Sequence, residues 1–185
     1  MAWIKVIEEN HATGKIKNVY DEITKKRGKL SNIMMVQSLK PESMKSHMGL
    51  YLSIMFGKSN IPRSERELIA VVVSSLNQCE YCVRHHAEAL QYYWKDSEKI
   101  NGLIDDFQTA LLPEKTKTML QYVSKLTLSP YDIEKGDIDK LRNVGFDDKG
   151  ILDINLITSY FNFVNRIVLG LGVEFSENEI KGYNY

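Results

Sequence analysis

Apolar positions recur every three to four residues along almost the whole chain, the period of helices that bury one face. The stretch PESMKSHMGLYLSIMFG places Met44, Met48, Tyr51, Leu52 and Met55 at helical spacing. PRSERELIAVVVSSLN and CEYCVRHHAEALQYYWK follow, and EKTKTMLQYVSKLTL sets Met119, Leu120, Val123 and Leu126 on one stripe. The most apolar stretch, from Asp147 to Gly170, reads as a helix entering the core behind Asp147 and Asp148. The run VVV at 71–73 favours strand by propensity, but it stands between helix formers without turn signals and is predicted helical. Pro41, Pro62, Pro113 and Pro130 punctuate the pattern where helices can begin. With no repeat, low-complexity tract or long linker, the expectation is one all-α domain over residues 1–185. Its densest chemistry falls at about 40–130, and a C-terminal core helix at about 147–171.

Composition narrows the classes. The 185 residues suffice for a sizeable core. Lys plus Arg balance Asp plus Glu at 24 each, so no whole-surface charge draws nucleic acid or anionic lipid. Asn162, Asn165 and Arg166 interrupt the most apolar stretch too strongly for a membrane span. The opening MAWIKVIEEN lacks the pattern of a secretory signal, and two cysteines do not make a disulfide framework. A cytoplasmic location is expected, with neither nucleic acid nor membrane as partner.

Chemistry concentrates in SSLNQCEYCVRHHAEAL, which holds both cysteines and half of the four histidines. On a helix beginning near Cys79, Cys82 lies about 60° from Cys79 and His86 about 40° from Cys82. Those three share a face, His85 sits at its edge, and Tyr81 is expected to point elsewhere. Cysteines at i and i+3 in a first turn can approach disulfide distance. The helix N-terminus favours a thiolate there, and a neighbouring histidine can carry its proton.

Other readings use the same residues. Cys79, Cys82 and His86, with Glu67 or His47, would make a zinc site, although no second pair of ligands at knuckle-like spacing is present. Val83 after the second cysteine excludes c-type haem attachment, and a thioredoxin-type fold needs βαβ units where this chain reads helical. The cysteines also suit a plain core, with His86 a satisfied buried histidine. Glu67 fits a capping box with Ser64, and spacing alone favours that role.

The segment IPRSERELIAVVVSSLNQCEYCVRHH resembles the core motif of the alkylhydroperoxidase D and carboxymuconolactone decarboxylase superfamily. That motif is Glu, eleven residues, then Cys-x-x-Cys-x-x-x-His, and it falls here on Glu67, Cys79, Cys82 and His86. WIKVIEENHATGKIKNVYDEI and ILDINLITSYFNFVNRIVLGLGVE extend the likeness toward the peroxidase-related branch. The resemblance implies an all-α helical bundle assembling into homo-oligomers, trimers or hexamers. It implies an enzyme that reduces organic hydroperoxides, an antioxidant peroxidase or disulfide oxidoreductase. Cys82 would be the peroxidatic thiol, Cys79 the resolving one, and Glu67 with His86 the proton relay. No cofactor would be bound; an external dithiol, in the best-known branch a lipoyl group, would return the electrons. The decarboxylases proper generally lack the cysteine pair, which argues against lactone decarboxylation. A non-catalytic oligomer that senses redox state or binds zinc is the alternative.

One departure stands out: the best-known peroxidases carry a histidine where this chain has Tyr81. Tyrosine, with a reference pKa of about 10, is a poor base near neutrality. The relay is then shortened, His85 compensates, or disulfide exchange is the main activity. Asn162, Asn165 and Arg166 are expected to form a structural hydrogen-bond network or subunit contact, with lining of the redox pocket as the sharper reading. His11 and His47 read as surface or packing residues, and the Met-rich stripe at 44–55 as core or interface.

Overall fold

The protein is described by a computed structural model covering residues 2–184. Ten α-helices follow one another among these residues: α1 (Gly14–Arg27), α2 (Asn32–Met35), α3 (Pro41–Phe56), α4 (Arg63–Leu76), α5 (Glu80–Trp94), α6 (Ser97–Asp106), α7 (Glu114–Leu128), α8 (Lys135–Asn143), α9 (Asp148–Leu171) and α10 (Glu177–Ile180). No strand occurs among the described residues. None of the helices is long and apolar enough to cross a membrane.

The centre of the bundle is α4. Every side chain from Arg66 to Ser74 is buried, because α5, α7 and α9 pack around it. Val71, Val72 and Val73 are helical, as the absence of turn signals indicated; burial on all sides outweighs their strand propensity. Each fully buried Leu, Ile or Val adds roughly 1.5–3 kcal/mol of apolar burial. A second apolar cluster joins α1 to the start of α3 through Ile16, Val19, Tyr20, Ile23, Met44 and Met48. Met55 belongs to the main core. The methionine stripe is therefore core.

Buried cations fasten the connections. Arg66 donates from Nη1 to the carbonyls of Ile54, Met55 and Gly57 and from Nε to that of Ile61. It thereby satisfies orphan acceptors around the end of α3. Asp147 caps α9, its Oδ1 accepting from the Gly150 N–H at 2.8 Å. At the far end Gly172 takes φ +59°, and an added Cβ would meet the Trp3 indole at 2.2 Å.

Gly28, at φ +80° after α1, plays a similar part. A Cβ there would meet Asn184 Oδ1 at 3.1 Å and the Gly182 carbonyl at 3.3 Å. Glycine lets the segment after α10 lie against the end of α1, where Asn184 N–H donates to the Arg27 carbonyl at 2.9 Å. That segment forms one wall of the cavity described next.

Candidate active site

Cys79 is the N-cap of α5, not its first helical residue. The turn before it is tight: Gln78 adopts φ +55°, a left-handed conformation that L side chains rarely take. Cys79 N–H donates to the Ser74 carbonyl at 2.9 Å. From α9, Asn165 Oδ1 and Asn162 Oδ1 accept from Asn77 Nδ2 at 2.9 and 3.0 Å, and Asn165 Nδ2 donates to Ser74 Oγ at 3.2 Å. Arg166 donates to Asn162. The three polar residues of α9 thus form a structural network, and its purpose is to hold the cysteine turn.

Both cysteines are free and buried, with their sulfurs 2.9 Å apart. A thiol–thiol contact this short lets the pair share a proton. Its hydrogen bond from Cys82 draws the Cys79 thiol below the ordinary range against the cost of burial. Burial pushes the Cys82 thiol well up, and the Cys79 sulfur adds to that; a hydrogen bond from Asn165 pulls the other way. Of the two, Cys79 gives up its proton the more readily, while Cys82 opens onto a cavity of about 80 Å³.

Tyr81, Cys82, His85, His86 and Ala89 all line that cavity. They span an arc of about 140° on α5, wider than the single face expected from the cysteines. Tyr81 therefore does not point away; it stands at the edge of the same cavity wall.

Glu67 reaches the site within one chain. Its Oε2 lies 2.6 Å from His86 Nδ1, and its Oε1 2.5 Å from Arg63 Nη1. Burial raises the Glu67 carboxyl, but His86, Arg63 and Arg27 outweigh it and hold the group below its ordinary range. The carboxylate accepts, so His86 Nδ1 carries the hydrogen and Nε2 is left free to take a proton. The capping box favoured by spacing is absent. Helix α4 begins at Arg63, so Ser64 lies inside it and Glu67 turns inward.

A second carboxylate–histidine pair flanks the first. Glu179, on α10, places Oε2 2.6 Å from His85 Nε2 and accepts at Oε1 from Tyr81 Oη at 2.8 Å. The Asn32 N–H adds a bond at 3.0 Å. Burial raises the Glu179 carboxyl, while the bond from His85 leads the effects that bring it below the ordinary range. Burial, then the Glu179 charge, drive the Tyr81 hydroxyl well up. Tyr81 stacks on His85 at 4.2 Å between ring centres.

His47 is a packing residue, as expected, but it also lines the cavity with Tyr160. Its Nε2 lies 2.7 Å from Tyr160 Oη. His11 is exposed. Sequence reasoning missed Glu179, Arg63 and Arg27. Glu179 looks like the end of a Ser176–Glu179 capping pair, and its own N–H does bond to Ser176 Oγ. Only its carboxylate turns away, to Tyr81 and His85 behind the cavity wall. Among the described residues no three His, Cys, Asp or Glu side chains are arranged to hold a metal ion.

Residues 41–105 match the model of the carboxymuconolactone decarboxylase family. An uncharacterized peroxidase-related protein from Silicibacter sp. TM1040 is 27% identical, with a TM-score of 0.82 over 96% of this chain and 91% of that one. An alkylhydroperoxidase AhpD core protein, peroxidase-related, from Ralstonia eutropha JMP134 is 24% identical, with a TM-score of 0.86 over 97% and 94%. The debrominase Bmp8 shares the fold at 21% identity, with a TM-score of 0.77 over 95% and 96%. A variant of that protein has been crystallised with 2,3,4-tribromopyrrole. The architecture is that of the AhpD-like, all-helical class. Residues 41–105 thus carry the pattern of the carboxymuconolactone decarboxylase family, on a fold shared with the peroxidase-related AhpD-like structures.

Proposed function

We propose that the protein is a thiol-dependent peroxidase or disulfide oxidoreductase working through Cys79 and Cys82. The observation that carries this reading is the sulfur pair at 2.9 Å, with Cys82 on the cavity that His86 also lines, its ring fixed by Glu67. A hydroperoxide enters, and the proton of Cys82 passes to His86 Nε2 through the cavity. The Cys82 thiolate attacks the terminal peroxide oxygen. The O–O bond breaks, the alkoxide leaves as alcohol with the proton from His86, and sulfur becomes sulfenic acid. The Cys79 thiolate then displaces hydroxide from that sulfur, the hydroxide takes a proton from solvent and leaves as water, and the Cys79–Cys82 disulfide forms. An external dithiol, such as a lipoyl group, exchanges with it and restores both thiols.

Tyr81 cannot serve as the base that a histidine at its position would be, because its hydroxyl is held protonated. His85 and Glu179 stand directly behind it. In this reading the pair holds Tyr81 in place at the cavity edge, its hydroxyl donating to Glu179, and the leaving oxygen takes its proton from His86 alone.

A second reading rests on the aromatic lining and on the fold shared with a debrominase. The same dithiol can supply two electrons to a brominated ring, replacing C–Br by C–H and releasing bromide as the disulfide forms.

The test counts thiols by alkylation and intact mass after one equivalent of cumene hydroperoxide. Reduced, metal-stripped wild type, Cys79→Ser, Cys82→Ser and Glu67→Gln proteins are compared. The expected result is rapid loss of both wild-type thiols, a sulfenic acid trapped only where Cys82 is kept, and roughly a hundredfold slower oxidation of Glu67→Gln. Thiols that survive many minutes of peroxide overturn the peroxidase reading. Their loss on adding a bromopyrrole instead would favour dehalogenation.

A further inference from the structure

Arg27 closes α1 and is 6% exposed, yet no carboxylate of the described residues pairs with it. Its Nη1 donates to the Asn184 carbonyl. Its guanidinium faces the rings of Phe56 at 4.7 Å and Tyr51 at 5.3 Å. Aromatic faces hold a guanidinium by its plane and leave the N–H groups at its edge unused. Nε and Nη2 have no acceptor among the described residues, and neither is sealed from solvent in the way that the nitrogens of Arg63 are. Arg27 is one of the residues lining the cavity onto which Cys82 opens. A mostly buried guanidinium fork that feels Glu67 only at a distance and has no carboxylate bonded to it, standing at a cavity, is a receptor for an anion.

The charges around it agree. Lys29, also on the cavity, spends its ammonium on the carbonyls of Asn178 and Lys181, which neutralise nothing. The one carboxylate that lines the cavity, Glu67, is already engaged by His86 and Arg63, and Glu179 behind the wall by His85 and Tyr81. The excess charge at the mouth is positive. A cavity of about 80 Å³ with Tyr51, Tyr160 and Phe161 in its wall suits one ring or a short chain.

We propose that Arg27 is a carboxylate-binding residue, and that the molecules turned over at Cys82 are compact organic acids, carboxylate on Arg27 and reacting group toward the sulfur. The substrate part of this inference rests on the dithiol reading above; the carboxylate site does not.

The test measures binding without turnover. Reduced full-length protein is titrated with benzoate and with its neutral isostere benzamide by calorimetry, and alkylation of Cys82 by N-ethylmaleimide is followed with each ligand present. The expected result is benzoate binding at least tenfold tighter than benzamide and slowing alkylation at Cys82. Arg27→Lys, which keeps the charge but not the fork, should lose at least tenfold in benzoate affinity and little for benzamide. Arg27→Gln should behave likewise where circular dichroism shows it folded; Arg27→Lys carries the test where it does not. Equal binding of the two ligands, no binding of either, or an Arg27→Lys protein that holds benzoate as tightly as wild type overturns the site. Oxidation of wild-type thiols by neutral cumene hydroperoxide, run in parallel, reports on the dithiol reading alone. Benzoate binding with inert thiols would retain the site and overturn the substrate assignment.

Discussion

At His47 the ring stays neutral in order to stay buried. Burial lowers its pKa to about 4, and its partners are the Tyr160 hydroxyl on Nε2 and the Gln37 side chain on Nδ1. Unfolded, the same ring titrates near about 6.5. As pH falls from about 6.5 the unfolded chain takes up a proton that the folded one refuses, so stability is full above that value and drains until about pH 4. Between pH 7 and 5 the loss from this residue is about 2 kcal/mol. His47→Gln should be less stable at pH 7 yet flatter across that interval in urea denaturation. Parallel pH curves for the two proteins would show that His47 is not the titrating group. Legibility at this scale divides by range. Cys79, Cys82 and His86 come together by helix geometry, which four residues of spacing encode. Glu67 was tied to them only by the likeness to a family motif, because nothing local brings one helix against the next. Arg27 and Glu179 were hidden, since a basic residue ending a helix and an acid after a serine both have ordinary helix-end roles.

The element that decides the site is the joint between α4 and α5. Its backbone is strained at Gln78, and a strained turn persists only where its surroundings over-determine it. Here the surroundings are α9, whose Asn165 is fully buried and engages Asn77 and Ser74 at once. The apolar pattern of 147–170 announced the helix, and its polar interruptions announced a hydrogen-bond network. Which turn that network would grip was not legible, because its partners lie 85–91 residues earlier. Asn165→Leu keeps the volume and removes the grip, leaving the Asn77 and Ser74 groups under-satisfied at a cost of about 1–3 kcal/mol. It also removes the hydrogen bond that restrains the Cys82 thiol from rising further. The variant should unfold at lower urea, and alkylation at Cys82 should need higher pH than in wild type. A stability loss with an unchanged alkylation profile would mean that the network serves the turn and not the sulfur.

At the scale of the molecule, periodicity was enough for the all-α class, since each amphipathic stripe found its place in one of two apolar clusters. What periodicity left over is an outer face. Leu152, Leu156 and Phe163 on α9 stay 57%, 39% and 48% exposed, and helical spacing sets them within about 40° of one another. Scattered exposed leucines are ordinary, but three aligned large apolar side chains on the longest helix form a stripe that water covers poorly. The homo-oligomer expected from the sequence motif supplies an occupant: we propose that a second copy of this chain covers it. The stripe is joined to the site, for the Phe163 ring lies 5.3 Å from that of His47, which Tyr160 connects to the cavity. Light scattering on the eluting protein should therefore give a multiple of 21.3 kDa. The double variant Leu156→Glu with Phe163→Glu should give the single-chain mass with its helical dichroism intact. Because the interface backs the wall that holds His47, the separated chains should also react more slowly at Cys82. A wild-type chain that runs as a monomer at micromolar concentration would remove the interface, and with it any need for a neighbour in shaping the cavity.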